Sequence, residues 1–259
     1  MLLAWLVVPA AVLGLIVGSF INVVSHRVPR GESVVRPRSR CPECQTEISP
    51  RDNIPIVSWM VLRGRCRRCS VPISVRYPAT ELATAVVFGL AAVRFGPAPV
   101  LPGYLLLFAG LVAVTVTDLE LRLVPKRIVW PVYAVGAVLL TAAALLDGEP
   151  VRIRDAALGS AAAFAVLFII HLISPRGMGF GDVRLAALLG LFLGWLGPAH
   201  VGLGIFAGFV SGGLAGVIAL SMGRSRRSAL PFAPFLAFGT LAAVLAGQPI
   251  LDWYLALGT

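Results

Sequence analysis

The sequence predicts an all-α polytopic membrane protein with about eight transmembrane helices and a cytoplasmic zinc-binding loop. Three observations predict it. The chain is 58% hydrophobic and 13% charged over 259 residues, with a mean hydropathy of +0.89, whereas soluble domains run near ~25% charged. Apolar runs of roughly 18 residues or more recur along it, each long enough to cross ~30 Å of hydrocarbon as a helix. The positive charge is unevenly placed, half of it lying in residues 26–78 beside all four cysteines. None of the runs shows the ~10-residue dyad alternation of a membrane barrel. Helices are the other structure that satisfies every backbone polar group in lipid.

The runs fall at about residues 1–25, 79–95, 101–117, 127–146, 154–173, 183–197, 199–222 and 230–249. The first, MLLAWLVVPAAVLGLIVGSFINVV, has no basic residue ahead of its apolar stretch, so it reads as a retained helix and not as a signal peptide. The sixth is short and runs into Gly197-Pro198. The chain thus divides into a first transmembrane helix (1–25), a cytoplasmic loop (26–78) and a membrane core (79–259).

Orientation follows from the basic residues. With the N-terminus outside, 19 of the 22 Lys and Arg fall in the inside segments 26–78, 118–127, 174–184 and 223–229, leaving Arg94, Arg152 and Arg154 outside. The opposite orientation reverses that ratio and violates the positive-inside rule. The net charge of +10 therefore reads as a topology signal and an attraction to anionic inner-leaflet lipid. Nucleic acid is not expected as a partner, because the basic residues lie in loops tied to the membrane.

Within 26–78, CPEC (41–44) is answered by CRRC (66–69), with 21 residues between the inner cysteines. Two such knuckles read as a tetrahedral site in which Cys41, Cys44, Cys66 and Cys69 hold zinc. With no open coordination position, its expected role is structural. Two disulfides are the main rival, disfavoured by a reducing compartment, and a redox or catalytic metal is another. Arg63, Arg65, Arg67 and Arg68 would offset the net charge of about −2 that four thiolates leave on a zinc ion.

A carboxylate within a membrane helix costs roughly 2.5–3.5 kcal/mol on insertion scales, which makes it a functional candidate. Of the twelve acidic residues, Glu81, Asp118 and Asp182 stand at membrane-helix ends on the expected cytoplasmic face. Asp182 follows Gly177, Gly179 and Gly181, and glycines let a backbone unwind and approach another chain closely. Taken singly, Asp182 is also a suitable helix N-cap and Asp118 a snorkelling helix-end residue. Together they suggest a pair. Two close carboxylates cannot both ionise easily, so one keeps its proton while the other acts as a base. That division of labour suits peptide hydrolysis by activated water. No rival nucleophile stands out: there is no GxSxG, the cysteines read as metal ligands, and His26, His171 and His200 are scattered. His171, in an apolar helix, reads as a structural histidine.

Four ordered blocks carry a resemblance. They are GSFINVVSHRVPRGES (18–33) followed by the paired CxxC loop, PISVRYPATELATA (72–85), TDLELRLVPKRI (117–128) and GMGFGDV (177–183). With them the chain resembles the type IV prepilin peptidases, a branch of the GxGD aspartyl proteases. The resemblance implies cleavage of the basic leader of type IV prepilins or type II secretion pseudopilins, after glycine, at the cytoplasmic side of the inner membrane. It also implies S-adenosylmethionine-dependent N-methylation of the new amino terminus in many members. Asp118 and Asp182 then match the catalytic pair. The four cysteines match those of the methylating members. One departure is Val124-Pro125-Lys126, where the family often reads IPD. A lysine there puts a positive charge eight residues from Asp118.

The methyl-transfer half has no GxGxxG nucleotide fingerprint. Asn22, Arg27 and Glu81 are the polar candidates for methyl transfer or substrate contact, set against helix capping, interfacial anchoring and a salt bridge to Arg76. Because leader and enzyme are both basic, recognition is expected to use the loop acids Glu32, Glu43, Glu47 and Asp52. Three alternatives remain open: a peptidase without methylation, a proton- or cation-coupled transporter using the two aspartates, and an inactive zinc-binding scaffold. No internal repeat of the transporter kind is seen.

Overall fold

The structure is a computed structural model that describes residues 4–175, 177–222 and 230–256. Every regular element among these is helical: α1 (Ala4–Arg27), α2 (Val57–Val61), α3 (Arg76–Phe95), α4 (Leu101–Leu121), α5 (Lys126–Leu146), α6 (Val151–Ile173), α7 (Phe180–Leu196), α8 (Pro198–Ser221) and α9 (Ala233–Ala256). All but α2 and α7 are long and apolar enough to cross a membrane. The all-α membrane architecture expected from the sequence is therefore what the chain adopts. The basic cluster at 223–229 lies outside the described residues.

The eighth expected span is α7, only 17 residues long, or roughly 26 Å at 1.5 Å per residue. Its surroundings explain how so short a helix serves. From Leu185 to Trp195 every residue is buried, and a helix apolar on all sides is a core helix. Protein surrounds it, so its length need not match the hydrocarbon.

The chain forms two compact units, Met1–Pro97 and Ala98–Thr259. In the first, α1 lies against α3 through Gly14 and Gly18. A Cβ on Gly14 would sit 2.6 Å from the Ala85 Cα, and one on Gly18 2.7 Å from the Glu81 Cα. This is small-xxx-small packing, in which association in lipid comes from close backbone approach. α1 ends in a 3-10 turn (Val28–Arg30), closed by Gly31 at φ 73°.

In the second unit α7 is seated against α6 in the same way. A Cβ on Gly159 would lie 2.5 Å from the Gly190 carbonyl oxygen, and one on Gly190 2.7 Å from the Ala163 Cβ. Two buried hydroxyls hydrogen-bond across helices: the Tyr104 hydroxyl donates to Phe192 O at 2.8 Å, and Ser160 Oγ donates to Ala187 O at 2.9 Å. Several helix ends differ from the sequence expectation: α3 and α6 each begin three residues before their apolar runs, and α9 continues to Ala256, seven residues past residue 249. α4 continues one turn past its apolar run, through Asp118 to Leu121, and closes on Arg122 in the left-handed region (φ 53°). α7 starts three residues earlier than its apolar run, at Phe180, with Gly179 as N-cap. In both cases the hydropathy changes before the helical hydrogen bonding does.

Replacing Gly190 by valine should force α6 and α7 apart. Overpacking of this kind costs about 1–3 kcal/mol, which lowers the melting midpoint of the detergent-solubilised protein by roughly 2–12 °C. Gly202→Val is the control, since nothing lies within 4 Å of a Cβ there. Equal midpoints for the two variants would refute the close-packing account.

Candidate active site

Asp118 sits in the last turn of α4 and is 5% exposed. Its Oδ2 accepts the amide of Ala233 at 2.9 Å, the first residue of α9. The opening amides of a helix have no partner within the helix and carry its positive end, so α9 aims a donor at the Asp118 carboxyl and fixes its direction. Asp182 is the third residue of α7, 9% exposed. Its amide donates to Gly179 O at 3.0 Å, and its carboxyl faces the Gly179 N–H and lies within the field of the Asp118 carboxyl. The two aspartates singled out in the sequence thus lie in one compact unit, near enough for the charge of one to act on the other. The cation whose charge acts on Asp118 is Arg122, while Lys126 is exposed at the start of α5.

The glycines around Asp182 do something other than unwind the chain. Gly179 has an ordinary φ of −71°, and none of Gly177, Gly179 and Gly181 is among the positive-φ residues. Gly181 is helical, and a Cβ there would come within 2.8 Å of the Val124 Cβ. Its missing side chain lets the α4–α5 connection pass over the start of α7, which is what draws the end of α4 toward Asp182. At Gly177 a Cβ would meet the Ser174 Oγ at 2.7 Å. His171 belongs to the same support, with its Nδ1 2.8 Å from Met178 O and its ring 5.7 Å from that of Phe180. The structural reading of His171 holds, and its task is to tie the GMGFGD segment to α6.

Asp182 forms part of the wall of a cleft of about 360 Å³, whose other lining includes Ile170, Ser174, Met178, Phe209, Leu230 and Phe232. The Phe209 and Phe232 rings meet at 5.1 Å. A mainly apolar cleft with one carboxylic acid at its wall can accept apolar side chains while presenting a proton-transfer group to the backbone beside them.

In the first unit, the sulfurs of Cys41, Cys44, Cys66 and Cys69 all lie within 4.8 Å of one another. Cys41 and Cys69 are 3.7 Å apart. Tetrahedral zinc with ~2.3 Å Zn–S bonds sets S···S edges of about 3.8 Å, so the cluster has the dimensions of a four-thiolate zinc site. Left to themselves the thiols ionise unequally. Cys44 is held down at about 6, chiefly by the Thr46 hydroxyl and amide. Cys69 is pushed up to about 12 by burial and its neighbouring thiols, against the Val71 amide that favours its thiolate. A divalent cation at the centre removes that inequality, because it draws all four toward the thiolate form.

The two knuckles share one mould, and the sequence announces it. Arg-Cys-x-x-Cys-x-x-x-Ile-Ser occurs at 40–49 and again at 65–74, a short repeat that motif spacing alone passed over. Cys41 N donates to Thr46 O at 3.0 Å and Gln45 N to Cys41 O at 3.0 Å; Cys66 N donates to Val71 O and Ser70 N to Cys66 O, both at 2.9 Å. The turn residues Gln45 (φ 55°) and Ser70 (φ 58°) correspond as well, as do the bridges Arg40–Glu47 and Arg65–Pro72.

Two of the loop acids expected to be available for a basic leader are already engaged. Asp52 accepts the Arg67 guanidinium at both oxygens, with Nε at 2.9 Å from Oδ2 and Nη2 at 2.6 Å from Oδ1. Arg67 holds that carboxyl below its usual range. Glu47 is 3.7 Å from Arg40. Arg67 therefore serves Asp52 as well as any metal charge.

Of the three polar candidates near α1 and α3, the structure buries two where these helices meet. Asn22 is 3% exposed and Glu81 7%. Asn22 Nδ2 donates to Tyr77 O at 3.2 Å, one turn before Glu81 on α3. Glu81 accepts the amide of Ile56 at 2.7 Å, a partner no sequence pattern indicated. Arg27 turns away and donates to Ser33 O at 2.9 Å.

Comparison with known proteins adds the lineage. The profile of the bacterial peptidase A24 N-terminal domain matches residues 12–95, and that of the type IV leader peptidase family matches residues 105–221. A Bacillus subtilis (strain 168) protein called prepilin leader peptidase/N-methyltransferase is 36% identical over 247 residues, covering 95% of this chain and 96% of that protein. Proteins of the same name from Stutzerimonas stutzeri and Neisseria gonorrhoeae are each 34% identical, over 95% of this chain and 92% and 93% of theirs. No solved structure matches the chain. With seven helices able to cross a membrane, the chain belongs to the type IV leader peptidase family as a multi-pass protein of the bacterial inner membrane.

Proposed function

We propose that this chain is an aspartyl endopeptidase that removes the basic leader of type IV prepilins or type II secretion pseudopilins after a glycine. We further propose that it then N-methylates the new amino terminus. The observation that carries the reading is Asp182 at the wall of an apolar cleft with the Asp118 carboxyl near enough for its charge to act on it, in a member of this family. Asp118 and Asp182 are the catalytic pair, and Gly177, Gly179 and Gly181 are the small residues that let their elements close up.

The pair shares one proton, because two close carboxylates do not both ionise. The ionised member takes a proton from a water molecule, and the hydroxide so formed attacks the scissile carbonyl carbon. The protonated member gives its proton to the developing oxyanion. As the tetrahedral intermediate collapses, the C–N bond breaks and the leaving amine takes a proton from the pair. The Ala233 amide keeps the Asp118 carboxyl aimed during these transfers.

Cys41, Cys44, Cys66 and Cys69 hold a structural zinc ion in this reading, and their spacing supports it. Methyl transfer draws on S-adenosylmethionine, whose sulfonium supplies an electrophilic methyl group. Asn22, Arg27 and Glu81 are the side chains proposed for that half of the activity. The excess of basic residues over 26–78 supports an inside loop, an outside N-terminus and an active site at the cytoplasmic face. The same division gives a first helix (1–25), a zinc loop (26–78) and a membrane peptidase core (79–259).

Asp118→Asn and Asp182→Asn should each abolish leader removal from a synthetic prepilin, a loss of at least ~10³-fold, and the double variant should be no worse than either single one. Mass spectrometry of the products checks this; turnover surviving in either variant would overturn the assignment. Purified protein should contain one zinc per chain. Its occupancy should fall as pH is lowered and hold as pH rises, since each thiolate protonated is a ligand lost. Metal analysis after dialysis at stepped pH reads the sign directly. Cys44→Ser or Cys66→Ser should empty the site at neutral pH.

A further inference from the structure

Asn22, buried where α1 meets α3, is only half satisfied. Asn22 Oδ1 is enclosed and makes no hydrogen bond, although the same side chain donates to Tyr77 O through Nδ2. A buried polar atom left unsatisfied loses its hydration without replacement, and natural folds rarely leave one without a reason. Glu81 lies one helical turn away along the same α1–α3 contact. Gly18 and Asn22 are one turn apart on the face of α1 turned to α3, and they oppose Glu81 and Tyr77 respectively. Two acceptors therefore occupy neighbouring turns of one helix interface, and one of them is a carboxylate.

Glu81 is also held by a strained neighbour. The Ser19 hydroxyl donates to the Glu81 carboxylate; the other donor is Ile56 N, and Ile56 has φ 61° and ψ −52°. A β-branched residue in that region is an outlier that persists only where the surroundings impose it. The Ile56 amide satisfies one lone pair of the carboxylate and fixes its orientation. The remaining acceptor capacity of Glu81 and the orphan Oδ1 of Asn22 call for a group with several N–H donors and a positive charge. An ammonium fits both requirements.

We propose that Asn22 and Glu81 form a buried binding site for an ammonium group, and that the group is the free α-amine at the amino terminus of the trimmed substrate. The identity of the ligand rests on the methylation reading given above, while the acceptor pair rests on geometry alone. Holding the amine by Oδ1 and a carboxylate would distinguish an amino terminus from the internal backbone amides, which carry no charge and a single N–H.

The test is a binding measurement on the full-length protein in detergent, without methyl donor. The probe is an apolar synthetic peptide with a C-terminal fluorophore and a free amino-terminal phenylalanine; its N-acetylated twin is the comparison. Fluorescence anisotropy should show the free amine binding at least about tenfold tighter, the ratio for one charge-assisted hydrogen bond. Glu81→Gln, which keeps an oxygen for the Ile56 amide and loses the charge, should erase that preference. Zinc content of the variant shows that the loop has kept its fold. Equal affinity of wild type for both peptides overturns the proposal and leaves water as the donor at Asn22. A preserved preference in Glu81→Gln overturns it too. Wild-type protein that prefers the free amine yet adds no methyl group with S-adenosylmethionine would sink the methylation reading and leave the amine site standing.

Discussion

A carboxyl group at the end of an apolar helix must be met by donors or it will not stay there. Asp118 is met by Ala233 N, an amide that α9 has no use for internally. That single contact joins the end of α4 to the start of α9, although 115 residues separate them. It requires both helix ends to lie at one depth, and with them Leu230 and Phe232, which line the cleft just ahead of α9. Asp182 reaches the same place by a different route. α7 is anchored by its glycine contacts with α6, and the α4–α5 connection lies over its first turn because Gly181 has no side chain there.

Much of this was legible in the sequence, and the rest was not, for physical reasons. Helix number and position follow from apolar length, since lipid leaves few alternatives. Asp118 and Asp182 were visible because charge is rare in such a chain. The partner of Asp118 was not, because a backbone amide has no residue type to betray it. Ile56 N at Glu81 escaped notice for the same reason. The glycines of GMGFGD were noticed for conformational freedom and matter through close approach. A sequence cannot separate those two uses, since both call for the absence of Cβ.

The soluble stretch shows the opposite balance. Its cysteines announced the cluster, and the four sulfurs do converge. The loop acids suggested a docking surface, yet Asp52 is committed to Arg67. Charge in a loop rich in both signs is as often spent internally as offered outward. Arg67 in turn ties the second knuckle to the 3-10 turn at Pro50–Asp52.

The repeat at 40–49 and 65–74 has a further consequence. Each half supplies two ligands from the same backbone mould, so a bound metal sits between two equivalent chelates and joins them as a clasp joins two links. Cys41 and Cys69, 3.7 Å apart, come from different halves. An oxidant that coupled them would take one sulfur from each chelate, and neither knuckle would keep a pair. The loop would remain tied shut by the new bond while losing its metal, so its shape would outlast its zinc.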